Sequence, residues 1–429
     1  MNRAWKQFPA SESIAQRLAL WSSHSEFGFC FRGDGWGAKN GNDCNVLAGA
    51  GMFSAYSGAL NTASDFIDHA NDYVFSSLGY DLKNSIEKLS SENSLSIEID
   101  ALVLCIPKIV VFEKDKEISI GIRSEILPEI THSEVLQQIE SVETFDITQK
   151  VSTPHFKWTR EQYVTKIKEA KKYIQLGEIY QANICQEVIW SEAQIDPASL
   201  FNSGFESNPN PFSVYVRLQD KHILSWSPER FLSFDDRKVL SQPMKGTAPR
   251  GVTKQEDELH KKELAQSEKD RRENVMIVDM VRNDLSHFAE KNSVKVPELY
   301  KIDTYPSVYQ MHSTVISTLR PKVSQFDALL KAFPMGSMTG APKIRAMQII
   351  DKLETSSRGI FSGTIGLFTP DGKADFNVVI RTLIYDRNKQ LLSAHVGGGI
   401  TALSDEESEY EECLVKLEPI QKLLYEIEK

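Results

Sequence analysis

The chain is poor in cysteine, has no long apolar run, no internal repeat, and no surplus of positive charge. Its cysteines (Cys30, Cys44, Cys105, Cys185 and Cys413) include no CxxC pair. An odd, scattered set fits reduced cytosolic thiols rather than a disulfide framework, and none sits in a nucleophile motif. The most apolar stretch, Ala101 to Phe112, is interrupted by Pro107 and Lys108. It falls far short of the roughly 20 apolar residues that cross a bilayer. The first residues, Met1 to Lys6, carry no apolar signal segment, so the expectation is a cytoplasmic protein without a membrane role. A net charge of −10 argues against a general nucleic-acid binder, which needs a basic face to displace counterions. Lys269-Asp270-Arg271-Arg272 is locally basic but flanked by acids, and reads as a solvated helix face. The glycines of Phe31 to Gly37 lack GxGxxG spacing and a following helix, so they read as a turn.

What is present belongs to an ordinary globular protein, with 41% hydrophobic and 25% charged residues over 429 positions. That length allows two to three domain-sized units. A polar, acidic stretch from Gln137 to Thr153, closed by Pro154, divides a region 1–150 from a region 155–429. Before it, Leu82, Ile86 and Leu89 recur at helical spacing, and Ala101 to Phe112 reads as a buried strand. After it, Thr159 and Gln162 form a capping box for a helix through Ile174, ended by Gly177. Strands are expected at Ile179–Trp190, Phe212–Leu218, His222–Trp226, Phe231–Phe234, Val239–Gln242 and Val308–Leu319. Phe361–Phe368 and Ala374–Tyr385 should form two more, joined by the turn Pro370-Asp371-Gly372. Gln255 to about Phe288 reads as one long helical region, Pro342 opens a helix over Lys343–Leu353, and a last helix starts at Ser404. Neighbouring runs of strands with helices outside them predict an antiparallel-rich α+β fold.

The chemistry concentrates in a few segments. Pro243-Met244-Lys245-Gly246-Thr247 puts a lysine beside a glycine that lets backbone approach a ligand closely. Upstream, Ser227-Pro228-Glu229-Arg230 places a carboxylate after the short apolar run His222–Trp226. A lysine amine and a carboxylic acid near one substrate can serve as nucleophile and general acid, although a surface pair in a hairpin is the commoner arrangement. Asp270 and Glu273 lie three apart in one helix, as do Glu409 and Glu412 in another, with Lys416 one turn further on. Carboxylates without histidine or thiolate suit a hard cation such as Mg²⁺; the bland alternative is two acidic helix faces. Glu273 borders the apolar Val275-Met276-Ile277-Val278, unlike a purely solvated acid. Gly397-Gly398-Gly399, after the strand Leu391–Val396, can present amides to an anion or be a plain loop. Arg381, after Val378-Val379-Ile380, reads as an arginine on a buried strand that needs an anionic partner. His312 alternates with Gln310 and Thr314 and can equally be a structural histidine.

Together these segments resemble the chorismate-utilising enzymes, the anthranilate synthase component I-like family. The resemblance runs from about Trp158 to Lys429. It rests on the order of Ile179-Tyr180-Gln181-Ala182-Asn183, Ser227–Arg230, Pro243–Thr247, Glu273–Asp279, Arg282-Asn283-Asp284, Gly340-Ala341-Pro342-Lys343, Phe361-Ser362-Gly363, Ile380-Arg381-Thr382 and Gly397–Ile400. It implies a large antiparallel β-sandwich flanked by helices, with the ligand between its layers. Members that use water carry a lysine base where this chain has Gln181, and glutamine cannot take a proton from water. Members that form anthranilate carry a small residue where this chain has Lys245. The resemblance therefore implies amination of chorismate at C4 by ammonia, with anthranilate formation, which Lys245 opposes, or chorismate binding without turnover as the alternatives. It assigns Lys245 as nucleophile, Glu229 as general acid, and Gln181, Thr247 and His312 as further site residues. Arg381, Lys416, Ser337, Gly246 and the amides of Gly397 to Gly399 would hold the substrate. Mg²⁺ would sit at Glu273 and Glu412, with Asp270 and Glu409 nearby. Ammonia would come from a partner glutaminase, and a separate aminodeoxychorismate lyase would act downstream. Region 1–150 carries the resemblance poorly, and Phe361 stands where the family has tryptophan or tyrosine.

Overall fold

The computed structural model describes residues 2–36, 45–143, 149–305 and 308–425. Gly37 and Cys44 therefore lie outside the described residues. Among the described residues, twenty strands join in one continuous, antiparallel sheet. Its spine is Leu102–Lys114, which pairs along most of its length with Val46–Ala55 and at its first residues with Val74–Leu78. Two arms diverge from that spine. The first runs through Val46–Ala55, Phe27–Arg32, Phe212–Leu218, Lys221–Ser227, Thr382–Asp386, Leu391–Ile400 and Gln181–Trp190. The second runs through Val74–Leu78, Thr364–Phe368, Lys373–Asn377, Arg230–Asp235, Lys238–Gln242 and Val308–Thr318.

Period-2 alternation explains why the arms stack. Phe27, Phe29, Phe31, Val214 and Val216 of the first arm meet Phe75, Ile365 and Leu367 of the second in one buried cluster. Phe29 stacks on Phe75 with centroids 5.0 Å apart. Burying one such ring contributes about 1.5–3 kcal/mol. The intervening residues point outward: Cys30 and Tyr215 pack with Ile14, Tyr163, Phe201 and Leu417 of the helices covering the first arm. Val74, Leu78 and Phe368 pack with Ile277, Leu285 and Phe326 over the second. The sandwich flanked by helices is the expected fold. No helix among the described residues is long and apolar enough to cross a membrane.

The elements differ from their sequence outlines where a polar side chain or a tight bend intervenes. Thr159 and Gln162 form the expected box over Arg160–Gln175. The long region 255–288 is two helices, Lys254–Gln266 and Glu268–Ser286, because Ser267 turns extended and caps the amide of Asp270. Leu82, Ile86 and Leu89 contribute only a short turn and the helix Lys83–Ile86. The strand Leu391–Ile400 continues through the glycine triplet, which is not a loop. The last helix is Glu406–Tyr425, and Asp405 rather than Ser404 accepts the amide of Ser408. The polar stretch from Gln137 begins inside a helix, His132–Glu140, and its residues 144–148 lie outside the described ones.

Candidate active site

The site forms where the chain twice changes arms. Between Lys221–Ser227 and Arg230–Asp235 it leaves the first arm for the second through Pro228 and Glu229. Between Lys373–Asn377 and Thr382–Asp386 it returns through Val378 to Arg381. The two crossings run side by side. Val378 donates its amide to the Glu229 carbonyl at 3.0 Å, Trp226 donates to the Arg381 carbonyl at 3.1 Å, and the Ser227 hydroxyl reaches the Val378 carbonyl at 2.6 Å. Glu229 and Arg381 thus lie at adjacent points of one seam. Arg381 is not on a buried strand. It sits in the break between strands with φ of +53°, a left-handed conformation that costs a non-glycine residue energy. Its side chain lines a cavity of about 700 Å³ with Thr247, Gln310, Trp226, Pro228 and Lys416. Arg381 is exposed to that cavity, while neighbouring protein displaces part of the water around its guanidinium. Loss of hydration weakens its hold on its proton, and the field of Glu412 opposes this. It makes no ion pair among the described residues.

Lys245 enters from the second arm. It lies on Met244–Pro249, whose pairing with Val308–Thr318 slips register between Met244 and Thr247. The irregularity frees Lys245 from the ladder. Gly246 holds φ of +87°, and a Cβ there would lie 3.0 Å from Cβ of Asp270, so only glycine fits without strain against that helix. Lys245 Nζ meets Glu273 Oε2 at 3.2 Å. On its other side is the glycine strand of the first arm: a Cβ on Gly399 would lie 3.2 Å from Lys245 Nζ.

The triplet has a helix behind it. A Cβ on Gly398 would lie 2.7 Å from Glu409 Oε2 and 3.9 Å from Glu412 Oε1. Lys416 Nζ bonds Glu412 at 2.7 Å and the Gly397 carbonyl at 2.7 Å. Burial weakens Glu409 as an acid, reinforced by Glu412 and opposed by Lys416 and Lys245. Burial acts on Glu412 in the same sense, but Lys416 and Lys245 outweigh it and hold Glu412 below its ordinary value. Asp270, Glu273, Glu409 and Glu412 therefore surround Lys245 from two helices. Among the described residues no three ligating side chains converge as a closed metal site.

Glu229 is buried, and burial pushes its carboxyl up to about 7. The Ser337 hydroxyl, the Lys245 charge and the Met244 amide pull the other way. Ser337 lies beside Glu229 and does not line the cavity of Arg381. Gln181 is buried at the start of its strand, two positions from Asn183, whose register partner is Gly399. Gln181 therefore shares the face of that strand that meets Lys245. His312 pairs with Met244 across the ladder and bonds Asp303 through Nδ1 at 3.0 Å. It lines a neighbouring cavity of about 330 Å³.

One supporting pair gave no warning in the sequence. Arg358, wholly buried, bonds Glu354 at 2.6 Å and the carbonyls of Met338 and Asn183, both at 2.7 Å. It ties the turn carrying Ser337 to the strand opposite the triplet. By spacing alone Glu354 and Arg358 are an ordinary i,i+4 pair. Phe361 stacks on His395, centroids 5.0 Å apart.

A family model described as chorismate binding enzyme matches residues 41–422. The chain belongs to the chorismate-binding enzyme family. The match starts well before Trp158, where the motif resemblance begins. Aminodeoxychorismate synthase component 1 of Escherichia coli is 37% identical over 354 residues, 81% of this chain and 75% of that protein. Anthranilate synthase component 1 1 of Haloarcula marismortui is 38% identical over 258 residues, covering 60% of this chain and 52% of that one. Among solved structures, the menaquinone-specific isochorismate synthase of Escherichia coli superposes with a TM-score of 0.77 at 16% identity, covering 98% of this chain and 94% of that one. Anthranilate synthase component I of Streptococcus pneumoniae gives 0.70 at 21%, covering 96% and 91%. These two show that this chorismate-binding enzyme has the fold they share.

Proposed function

We propose that this enzyme aminates chorismate at C4 with ammonia to give 4-amino-4-deoxychorismate, the precursor of para-aminobenzoate for folate synthesis. The observation that carries the reading is Lys245, held between Glu273 and Gly399 across the seam from a buried acid, Glu229. The names of relatives such as the component 1 protein of Escherichia coli support it. Arg381, Lys416, Thr247 and the triplet amides receive the substrate carboxylates. Lys245, once deprotonated, attacks C2 while Glu229, protonated near neutrality because it is buried, gives its proton to the departing C4 hydroxyl. Ammonia then attacks C4 and expels the lysine, which leaves Glu229 to be reprotonated. Gln181, which cannot act as a base toward water, leaves ammonia as the nucleophile. His312, anchored by Asp303, lends support from the adjoining cavity.

Mg²⁺ fits the donor chemistry, since all four acids are hard oxygen ligands. Such an ion takes one or two carboxylates and completes its shell with water and substrate oxygens. Glu273 and Glu412 would hold it, with Glu409 and Asp270 beyond, and it would neutralise the substrate carboxylate. A component 1 protein implies a second component: a glutaminase that supplies ammonia, with a separate lyase removing pyruvate afterwards. The site needs only diffusible substrates, consistent with a cytoplasmic enzyme.

The test is a product assay with chorismate, Mg²⁺ and ammonium, with and without aminodeoxychorismate lyase. Para-aminobenzoate that forms only with lyase supports the proposal. Fluorescent anthranilate formed without lyase overturns it in favour of the Haloarcula-like activity. Lys245→Ala should abolish amination, and persistent product would remove the covalent lysine step.

A further inference from the structure

A cavity of about 10 Å³ lies behind Glu229, walled by Phe231, Ile277, Leu285, Ser337 and Asp284. That is room for one water. Its polar lining is nearly all committed elsewhere. Asp284 is paired with Lys343 at 2.7 Å, Ser241 donates to the Phe231 carbonyl at 2.7 Å, and Arg230 is bound to Asp375 and Gln242. The exception is the Ser337 hydroxyl, whose Oγ is buried with no hydrogen bond of ordinary length and faces the Glu229 carboxyl, which also receives the Met244 amide. A buried hydroxyl in that state calls for a role or a water. The Ser337 backbone, in contrast, is held fast. Its carbonyl accepts from Asn183 Nδ2 at 3.3 Å, and the next carbonyl accepts from Arg358.

Resting on the amination reading above, we propose that Ser337 is a positioning residue for Glu229, bridged to its carboxyl by one water in this cavity. The bridge aims the acid's proton at the cleft and donates hydrogen bonds to the carboxylate left when that proton departs. The groups facing Glu229 from the surrounding elements are Lys245, the Met244 amide and Ser337, with Asp284 already neutralised by Lys343. Ser337 is the one whose removal changes the proton's environment without touching nucleophile or substrate. This departs from the sequence-based expectation that Ser337 holds a substrate carboxylate.

The experiment compares Ser337→Ala with the parent enzyme in ammonia-dependent chorismate consumption across pH. A general acid fails as pH rises through its pKa, so Glu229 sets the alkaline limb. Losing donors to its charged form should move that limb up by about one pH unit and lower kcat about tenfold, with KM for chorismate unchanged. An unmoved limb, or a raised KM with kcat intact, overturns the inference. The same shift is read without turnover by carbon-13 NMR titration of the Glu229 carboxyl in glutamate-labelled protein, assigned by its loss in Glu229→Gln. Unchanged titration in Ser337→Ala overturns the bridge even if amination itself is refuted by product analysis.

Discussion

Replacing Glu229 by glutamine should make the protein more stable and less active, and the gain should depend on pH. Burial raises the Glu229 carboxyl from 4.5 to about 7. The folded chain therefore keeps a proton that the unfolded chain has released, and stability falls as pH rises from about 4.5 to about 7. Above that window the folded state carries a penalty of about 3 kcal/mol for this one group. Glutamine has nearly the same shape, still accepts from the Met244 amide, and bears no charge. Its NH₂ group lacks an evident acceptor, which reduces the benefit. Urea unfolding followed by tryptophan fluorescence should show a gain of about 2–3 kcal/mol at pH 8, shrinking below about 1 kcal/mol at pH 5. Chorismate consumption with ammonium should fall at least about 100-fold, the usual loss on removing a general acid. A gain of equal size at both pH values would mean that packing, not ionisation, governs this position. A loss of stability at pH 8 would refute the burial argument outright.

Two further substitutions separate recognition from folding. Arg381→Gly removes a guanidinium that makes no ion pair among the described residues and also relieves its φ of +53°; KM for chorismate should rise about 10- to 100-fold while stability improves by about 1 kcal/mol. Calorimetry of the variant tests this, and a drop in stability would show that Arg381 is a structural residue. Arg358→Met leaves Glu354 charged and buried without its partner, so urea unfolding should show a loss of about 3–5 kcal/mol. An unchanged midpoint would exclude Arg358 as the tie between the Ser337 turn and the strand beneath the triplet.

The sandwich was legible because its signals are local. Alternation over Phe212–Leu218 or Phe27–Arg32 specifies one face for the core and one for the helices, and the box at Thr159 marks a helix start by chemistry alone. The chemical residues were legible for another reason: Lys245, Glu229, Arg381 and the acids each sit in a motif whose order survives along the chain. Side-chain direction was not legible. Nothing in Val378-Val379-Ile380-Arg381 announces that the strand breaks, because the break is imposed by tertiary hydrogen bonds from Trp226 and Ser227. Ser267 looked like one more polar residue of a long helix until its hydroxyl was seen to cap the next one. The Glu354–Arg358 pair is ordinary by spacing and unusual only by burial, which depends on Met338 and Asn183 arriving from elsewhere.

The seam also explains why an acid, a cation and a glycine strand can share one small space. A residue inside a regular sheet spends its backbone on neighbours and points to one face. At the two crossings the ladder is interrupted, so Glu229 and Arg381 are released from that constraint while the hydrogen bonds between crossings keep them in register. Beyond Ala394 the strand Leu391–Ile400 has lost its pairing with Thr382–Asp386 and keeps only Gln181–Trp190. The glycines there open one edge of the first arm toward Lys245 on the second. A side chain at Gly398 would push Glu409 away, and one at Gly399 would press on the lysine amine. The triplet is thus a spacing device as much as an anion cradle: it sets how closely the nucleophile of one arm approaches the acidic helix that backs the other.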